Sequence, residues 1–120
     1  MTDILSMLWD STDELHRRFD LFPPSPEATL RVFREEAEEF DEAACEMIAD
    51  NNFNAGCSDT CAEAADAIVT ILATLSGLGI TREEFALWAQ RVAEKNNAKT
   101  YETHFINPTT GKIQRKAAKP

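Results

Sequence analysis

Apolar residues recur every three or four positions along most of the chain, a pattern that predicts amphipathic helices. Four helices are predicted, over about residues 3–20, 26–50, 58–77 and 82–98. Ser25 followed by Pro26 is typical of a helix start, and Gly77 and Gly79 are typical of a helix end. The pattern favours the all-α fold class, as a short four-helix bundle-like subunit.

The helical pattern stops after Lys99. Residues 100–120 are predicted to form a basic C-terminal tail, with a turn at 107–111 and a short extended or irregular segment at 111–116. A disordered basic tail is the alternative that composition leaves open.

The first predicted helix presents one mainly apolar face, with two aromatic rings on its shoulder. The face consists of Leu5, Leu8, Thr12, Leu15 and Phe19, and the shoulder of Trp9 and His16. His16 is interpreted as a surface or core-edge histidine rather than a catalytic one.

The second predicted helix carries a run of six acidic residues between positions 35 and 42. Glu36 and Glu39 lie near the edge of its apolar stripe, whereas Glu38 lies on the opposite flank. Carboxylates that lean toward a core are costly unless a cation sits between them. A solvated acidic face remains the alternative, because two arginines precede glutamates of the run at i,i+4 spacing.

A second acidic pair lies on the third predicted helix. Glu63 and Asp66 are its only charges between positions 62 and 77, where the residues are apolar or small nearly all round. Such a helix is expected to be buried, and a buried charge requires a partner. If the second and third helices pack face to face, four carboxylates converge in a site for a hard cation.

Length and charge narrow the class of protein. A chain of 120 residues predicts one domain, and the net charge of −9 argues against nucleic acid as a partner. Eight of the 21 acidic residues lie between positions 35 and 50, and six of the 12 basic residues lie between 95 and 119. An acidic centre with a basic end could hold divalent cations together with a polyphosphate.

The cysteines and the apolar segments predict a cytoplasmic protein. Three cysteines are too few and too close together for a disulfide framework, so reduced thiols are expected. The N-terminus does not read as a signal peptide, and the apolar run over 67–80 is too short to span a bilayer. We expect a soluble protein without a membrane partner.

The acidic motifs together resemble the signature of a known family. Glu35-Glu36-x-x-Glu39, followed after 23 residues by Glu63-x-x-Asp66, resembles the EExxE…ExxD signature of the MazG-like all-α NTP pyrophosphohydrolases. Two later segments also resemble this superfamily. Asn96-x-x-Lys99 resembles its Asn/Lys motif, and Gly111-Lys112-Ile113 resembles a Gly-Lys-Ile segment of a branch with phage and bacterial members. The whole resemblance covers roughly residues 28–116.

The resemblance implies a hydrolase that converts a (d)NTP and water to the (d)NMP and pyrophosphate. It would act in nucleotide-pool control or house-cleaning, as an obligate homodimer or homotetramer whose partner helices complete the bundle. The implied ligands of Mg²⁺, with Mn²⁺ as a possible substitute, are Glu36, Glu39, Glu63 and Asp66. An open cluster of carboxylates without His or Cys suits magnesium.

The resemblance also implies roles for four further residues. Glu35 would orient the attacking water or hold a further metal. Lys99 would contact the phosphates, with Asn96 steadying them and Lys112 as a further substrate-binding residue. Contacts to the base are expected from the first helix and residues 22–24.

Two other classes of protein remain as alternatives. A di-metal carboxylate bundle of redox type requires two Glu-x-x-His motifs, and both i,i+3 pairs here are acidic. A non-catalytic helical oligomerisation or interaction module would favour apolar residues at positions 63 and 66. The acidic i,i+3 pairs and the charges at positions 63 and 66 therefore favour the pyrophosphohydrolase over both alternatives.

Overall fold

The computed structural model describes residues 3–51 and 57–117, apart from the side chain of Cys57. Four helices cover 70% of the described residues, and the all-α fold class is confirmed. The helices are α1 (Ile4–Arg18), α2 (Pro26–Asp50), α3 (Cys57–Gly77) and α4 (Arg82–Asn97), and two strands follow, β1 (His104–Ile106) and β2 (Ile113–Arg115).

The helix starts follow from local capping. The Oγ of Ser25 accepts a hydrogen bond from the Ala28 amide at 3.3 Å, and Pro26 takes the first helical position of α2. Asp3 caps α1 in the same way, accepting from the Leu5 amide at 3.1 Å. Both caps supply acceptors for amides that have no partner inside the helix.

The chain forms two compact units, Met1–Arg82 and Glu83–Pro120. In the first unit, α2 packs along α3, and α1 also contacts α3. Its buried side chains mix apolar groups with hydroxyl groups: Trp9, Leu72 and Ala73 with Thr12, Thr29 and Thr70. The helix α3 is therefore the centre of this unit.

The buried stripe of α1 differs from the predicted face. Trp9, which was assigned to the shoulder, is 5% exposed, whereas Phe19 is 65% exposed. The prediction was wrong here because α1 packs mainly on α3, and this contact buries a narrow stripe centred on Trp9 and Thr12. A large indole removes more apolar area from water than the smaller residues beside it.

The C-terminal end of α3 packs closely against the loop between α1 and α2. A Cβ at Gly77 would collide with the carbonyl oxygen of Pro24. Glycine is required at position 77 because no side chain fits in this contact. Nearby, the Oγ of Ser76 donates to Asp13 at 3.1 Å, which ties the end of α3 to α1.

The second unit contains α4 and a hairpin. No residue of α4 is buried, and its Trp88 is 60% exposed. The strands β1 and β2 pair antiparallel, with Phe105 opposite Gln114. The extended segment predicted within 111–116 is present as β2, whereas the strand β1 was not predicted. The predicted turn at 107–111 is also present, with Asn107 accepting from the Thr109 amide at 2.9 Å. The last three residues of the predicted tail lie outside the described residues.

Among the described residues, one helical segment, Ser58–Gly77, is long and apolar enough to cross a bilayer by length and composition alone. It is longer than the apolar run over 67–80 considered above. Core helices of soluble proteins pass the same test. The cytoplasmic location therefore stays a prediction.

Candidate metal centre

Three glutamates converge where α2 packs along α3. Each of Glu36, Glu39 and Glu63 offers a carboxylate oxygen, and these oxygens lie within 4.8 Å of one another. The i,i+3 spacing puts the first two on one face of α2, and the packing of α3 on that face brings the third to them. Two helices thus supply a compact set of oxygen donors.

Two oxygens of this three-glutamate cluster lack a partner. The Oε2 atoms of Glu36 and Glu63 are buried, and no hydrogen-bond donor reaches either within the described part of the chain. Both residues are half-buried, whereas Glu39 is exposed. An ionised oxygen without a donor is costly, so the cluster needs a proton or a cation.

The electrostatics of the cluster agree with this geometry. Desolvation, followed by the negative charges of Glu39 and Asp66, raises the pKa of Glu36 above its ordinary value. Desolvation, followed by the close contact with Glu39, likewise raises the pKa of Glu63. A proton shared with Glu39 would bridge these carboxyl groups, and in its absence they repel one another.

Asp66 lies at the edge of the cluster. It is exposed, so the expectation that Glu63 and Asp66 are both buried was wrong for Asp66. It stands outside the set of three, yet its charge is close enough to raise the pKa of both Glu36 and Glu63. Asp66 instead lines the open cavity beside the cluster, together with Glu36.

The donor set fits a hard divalent cation. It consists of carboxylate oxygens alone, which Mg²⁺ and Mn²⁺ prefer over the nitrogen and sulfur ligands typical of zinc. The two unpartnered oxygens of Glu36 and Glu63 are the atoms that a cation would satisfy. These residues could therefore hold the ion that the sequence resemblance implies.

A cavity of about 450 Å³ lies beside the cluster in the first unit. The helices α1, α2 and α3 and the loop at 21–25 all line it, and Glu36 and Asp66 both belong to its wall. Its volume is in the range of small-molecule sites. The walls include α1 and Pro24, the region from which contacts to the base were expected.

Several residues of this cavity were not recognised from the sequence as functional. Thr12, Thr29 and Thr70 are buried and line it, together with His16, for which the sequence predicts a surface or core-edge position. The only sequence signal for these positions was a threonine within an otherwise apolar helical stripe. Such a residue packs like valine, so the pattern by itself suggested only core.

Glu35 is exposed and does not belong to the three-glutamate cluster. Neighbouring residues of a helix point about 100° apart, so Glu35 cannot share the face of Glu36. Its role toward the attacking water stays a prediction.

The predicted phosphate-binding residues lie in the second unit. The Nζ of Lys99 donates to the Oδ1 of Asn96 at 2.9 Å, so this pair is brought together. Lys99 also lines a cavity of about 240 Å³ with His104, whose pKa is lowered by desolvation and by the charge of Lys99. Lys112 is exposed beside the hairpin turn.

Fold and site together define a helical protein with an acidic cluster beside a cavity. No family model matches the chain, and neither the curated proteins nor the solved structures gave a match. The resemblance to the MazG-like pyrophosphohydrolases therefore depends on the motifs in the sequence.

Proposed function

We propose that this chain is a magnesium-dependent pyrophosphohydrolase that cleaves a (d)NTP to the (d)NMP and pyrophosphate. The observation that carries the proposal is the convergence of Glu36, Glu39 and Glu63 beside a cavity of nucleoside size. The two buried oxygens without donors support it further, because a bound cation would satisfy both of them.

The carboxylates of the cluster would bind the metal ion. Glu36, Glu39 and Glu63 would hold Mg²⁺, or Mn²⁺ in its place, and Asp66 would supply a further acidic ligand from the cavity wall. Bound magnesium would neutralise phosphate oxygens and lower the pKa of a coordinated water. Without a cation, these acids would repel a triphosphate, so the reaction should require the metal.

The chemistry is a substitution at the α-phosphorus. The water oxygen would bond to this phosphorus and lose a proton to the surrounding water, the bond to the bridging α–β oxygen would break, and pyrophosphate would leave. Glu35 would orient the water. Lys99, Asn96 and Lys112 would contact the phosphates, and fixed charges of this kind account for most of the catalysis in phosphoryl transfer.

The exposed apolar residues support a homo-oligomer, a dimer or a tetramer. On α3, Ile68 and Ile71 are about two-fifths exposed, and on α4 both Trp88 and Val92 are more than half exposed. Partner subunits would cover these side chains. Light scattering at micromolar concentration should give at least twice the 13.4 kDa chain mass, and the mass of a single chain would contradict the proposal.

A panel of (d)NTPs with magnesium, with the products separated and identified, tests the activity. Wild-type protein should release pyrophosphate and the monophosphate, and EDTA should abolish turnover. Glu36→Gln should reduce turnover about a hundredfold or more, since a pre-placed charge is lost. The matched control is Glu38→Gln, which changes an exposed acid two residues away on α2 and should be nearly silent.

The second candidate function is a non-catalytic oligomerisation module. The exposure of Trp88 and Val92 on α4 favours it, because an apolar surface of this kind suits an interface. Such a module would assemble but turn over no nucleotide. Orthophosphate as the product, or no product from any nucleotide, would count against the pyrophosphohydrolase.

A further inference from the structure

The second unit has a cavity of its own, with a volume of about 240 Å³, whose walls combine basic and apolar groups. Lys99 and His104 both line it. The apolar part of the wall includes Tyr101, Phe105, Ile106 and Ile113. None of the described residues that line this cavity is acidic, whereas the cavity of the first unit has two carboxylates in its wall. The two cavities therefore suit ligands of opposite charge.

The pairing of β1 with β2 adds an arginine beside His104. Arg115 is the direct cross-strand partner of His104, and two positions along the hairpin Ile106 pairs with Ile113. Side chains that lie directly opposite each other in an antiparallel pair are on the same face, and so are residues two apart on one strand. Arg115 therefore shares a face of the hairpin with His104 and with two isoleucines of the cavity wall.

The charges of two lysines also reach His104. Lys95 lies in the last turn of α4, and Lys99 lies just beyond the end of this helix. Desolvation, followed by the charges of these two lysines and of Arg115, lowers the pKa of His104 below its ordinary value. The basic cluster of the second unit thus consists of four residues from α4, β1, β2 and the segment between them: Lys95, Lys99, His104 and Arg115.

The basic cluster has no acidic partner in the described part of the chain. The ion pairs that form there are those of Glu14 with Arg18 and of Asp10 with Arg82, both in the first unit. Glu102 is the only acidic residue between positions 95 and 117, against five lysines and arginines. The end of the α4 dipole supplies about half a negative charge, which is too little to balance three permanent positive charges. The cluster therefore requires an anion from outside the chain.

We propose that the cavity of the second unit is a binding site for a pyrophosphate group, which the basic cluster holds. The inference rests on the proposed function only in the choice of pyrophosphate, which is the leaving group of that reaction and the end of its substrate. Sequence motifs assigned Lys99 to the phosphates, and the structure adds His104, Arg115 and Lys95 to it. Three permanent positive charges suit a polyvalent anion better than a monovalent one.

The individual groups of the cluster are suited to phosphate oxygens. The guanidinium of Arg115 offers a planar fork of donors, the geometry that binds two phosphate oxygens at once. The Nδ1 of His104 lies 2.7 Å from the Oγ1 of Thr103, so Nε2 is the ring nitrogen left for a ligand. The apolar residues of the wall exclude water from one side, which strengthens the attraction between the bound anion and the cations.

Binding of pyrophosphate without a metal tests the site. Calorimetry of the wild-type protein in EDTA at pH 7 and constant ionic strength should show one pyrophosphate bound per chain. Its dissociation constant should be at least about tenfold lower than that of orthophosphate or sulfate, because the second phosphate group adds charge-assisted hydrogen bonds. Binding of pyrophosphate no tighter than that of sulfate would overturn the proposal.

Arg115→Gln tests the cross-strand contact. Arg115 is exposed, so the fold should survive, which circular dichroism would check. The variant should bind pyrophosphate about tenfold more weakly or worse, the cost of losing a charge-assisted pair. The matched control is Arg91→Gln, which removes the same charge from an arginine that stacks over Trp88 and does not line the cavity. An equal loss in both variants, or no loss in Arg115→Gln, would contradict the proposal.

The imidazole NMR signals of His104 provide a second readout. A bound anion stabilises the imidazolium form, so the pKa of His104 should rise when pyrophosphate is added in EDTA. His16, which lines the acidic cavity of the first unit, is the internal control, and its pKa should not change. An unchanged pKa of His104, or an equal rise at both histidines, would overturn the assignment.

A triphosphate analogue with a methylene bridge between the α and β phosphorus atoms identifies the source of the pyrophosphate group. With magnesium, Arg115→Gln should weaken binding of this analogue if the site holds the substrate's β and γ phosphates. The variant should leave that binding unchanged if the site holds only the released product. Both results uphold the site, provided that Arg115→Gln weakens binding of free pyrophosphate.

The inference and the proposed function can fail separately. Pyrophosphate binding that depends on Arg115, in a protein that hydrolyses no triphosphate, would uphold the site and reject the activity. Turnover of a triphosphate by a protein that binds no free pyrophosphate would do the reverse.

Discussion

The acidic residues of α1 and those at the contact between α2 and α3 are alike in chemistry and secondary structure but differ in their partners. On α1, Glu14 pairs with Arg18 at 3.8 Å, and the acid and base side chains are 75% and 64% exposed. Asp10 of the same helix pairs with Arg82. Glu36 and Glu63 are half-buried, and each has an oxygen that no donor in the described chain reaches.

The comparison separates acids that the fold satisfies from acids that it does not. An exposed pair such as Glu14 and Arg18 contributes little to stability and can be lost at small cost. The unpartnered oxygens reduce the stability of the folded state, and desolvated, mutually repelling groups of this kind are concentrated at functional sites. Substitutions in the two regions should therefore have effects of very different size.

The largest effect is expected on turnover from Asp66→Asn. Asparagine keeps the shape and one acceptor oxygen but removes one charge from the edge of the cluster. Hydrolysis of the preferred triphosphate should fall about a hundredfold or more, while circular dichroism shows an intact fold. Equal activity in this variant and in the control Glu38→Gln would mean that the cluster does not act in catalysis.

The next effect is stabilisation by the metal. Magnesium should raise the melting temperature of the wild-type protein, and each tenfold increase above its dissociation constant should add about 1.4 kcal/mol. The double variant Glu36→Gln/Glu63→Gln should show little of this shift, whereas Glu14→Gln should keep all of it. Absence of a shift up to about 10 mM magnesium in the wild type would contradict a cation site.

A smaller effect is expected from pH in EDTA. In the folded state the pKa of Glu63 lies above its ordinary value of 4.5. The folded chain therefore binds more protons than the unfolded chain between these two pKa values, and the free energy of unfolding falls as the pH rises from 4.5 through the pKa of the folded state. Glu63→Gln removes the repulsion, so its melting temperature should exceed that of the wild type at pH 7.5. The difference should shrink as the pH approaches 4.5, and a difference independent of pH would contradict the assignment.

The smallest effect is expected on α1. Glu14→Gln breaks the exposed pair with Arg18 and should change the free energy of unfolding by less than about 1 kcal/mol. Denaturant titration of the two proteins would measure it. A loss of unfolding free energy as large as that from a core substitution would show that the exposed acids of α1 do contribute to stability, and the comparison would fail.

The sequence predicted those features that depend on local pattern. The bounds of α2 and the cap at Ser25 depend on the residues next to them, and the convergence of Glu36 with Glu63 follows once two amphipathic helices pack along their stripes. These predictions needed no knowledge of the detailed tertiary arrangement.

The features that sequence did not predict depend on contacts between distant segments. Trp9 is buried and Asp66 exposed because of the particular rotation of α1 and α3 against their neighbours, which helical periodicity leaves undetermined. The strand β1 and its pairing with β2 were not predicted, because both strands are only three residues long and show too little alternation of apolar and polar residues.

The close packing at Gly77 has an evolutionary consequence. The constraint there comes from a neighbouring segment, since an added Cβ would meet the Pro24 carbonyl, so a larger residue at 77 should become permissible when the 24–26 segment changes with it. Gly79 is constrained differently: its φ of +80° is a property of its own backbone, and nothing lies within 4 Å of an added Cβ. Among diverged descendants of this chain, position 77 should covary with positions 24–26, whereas position 79 should remain glycine or asparagine independently of its surroundings.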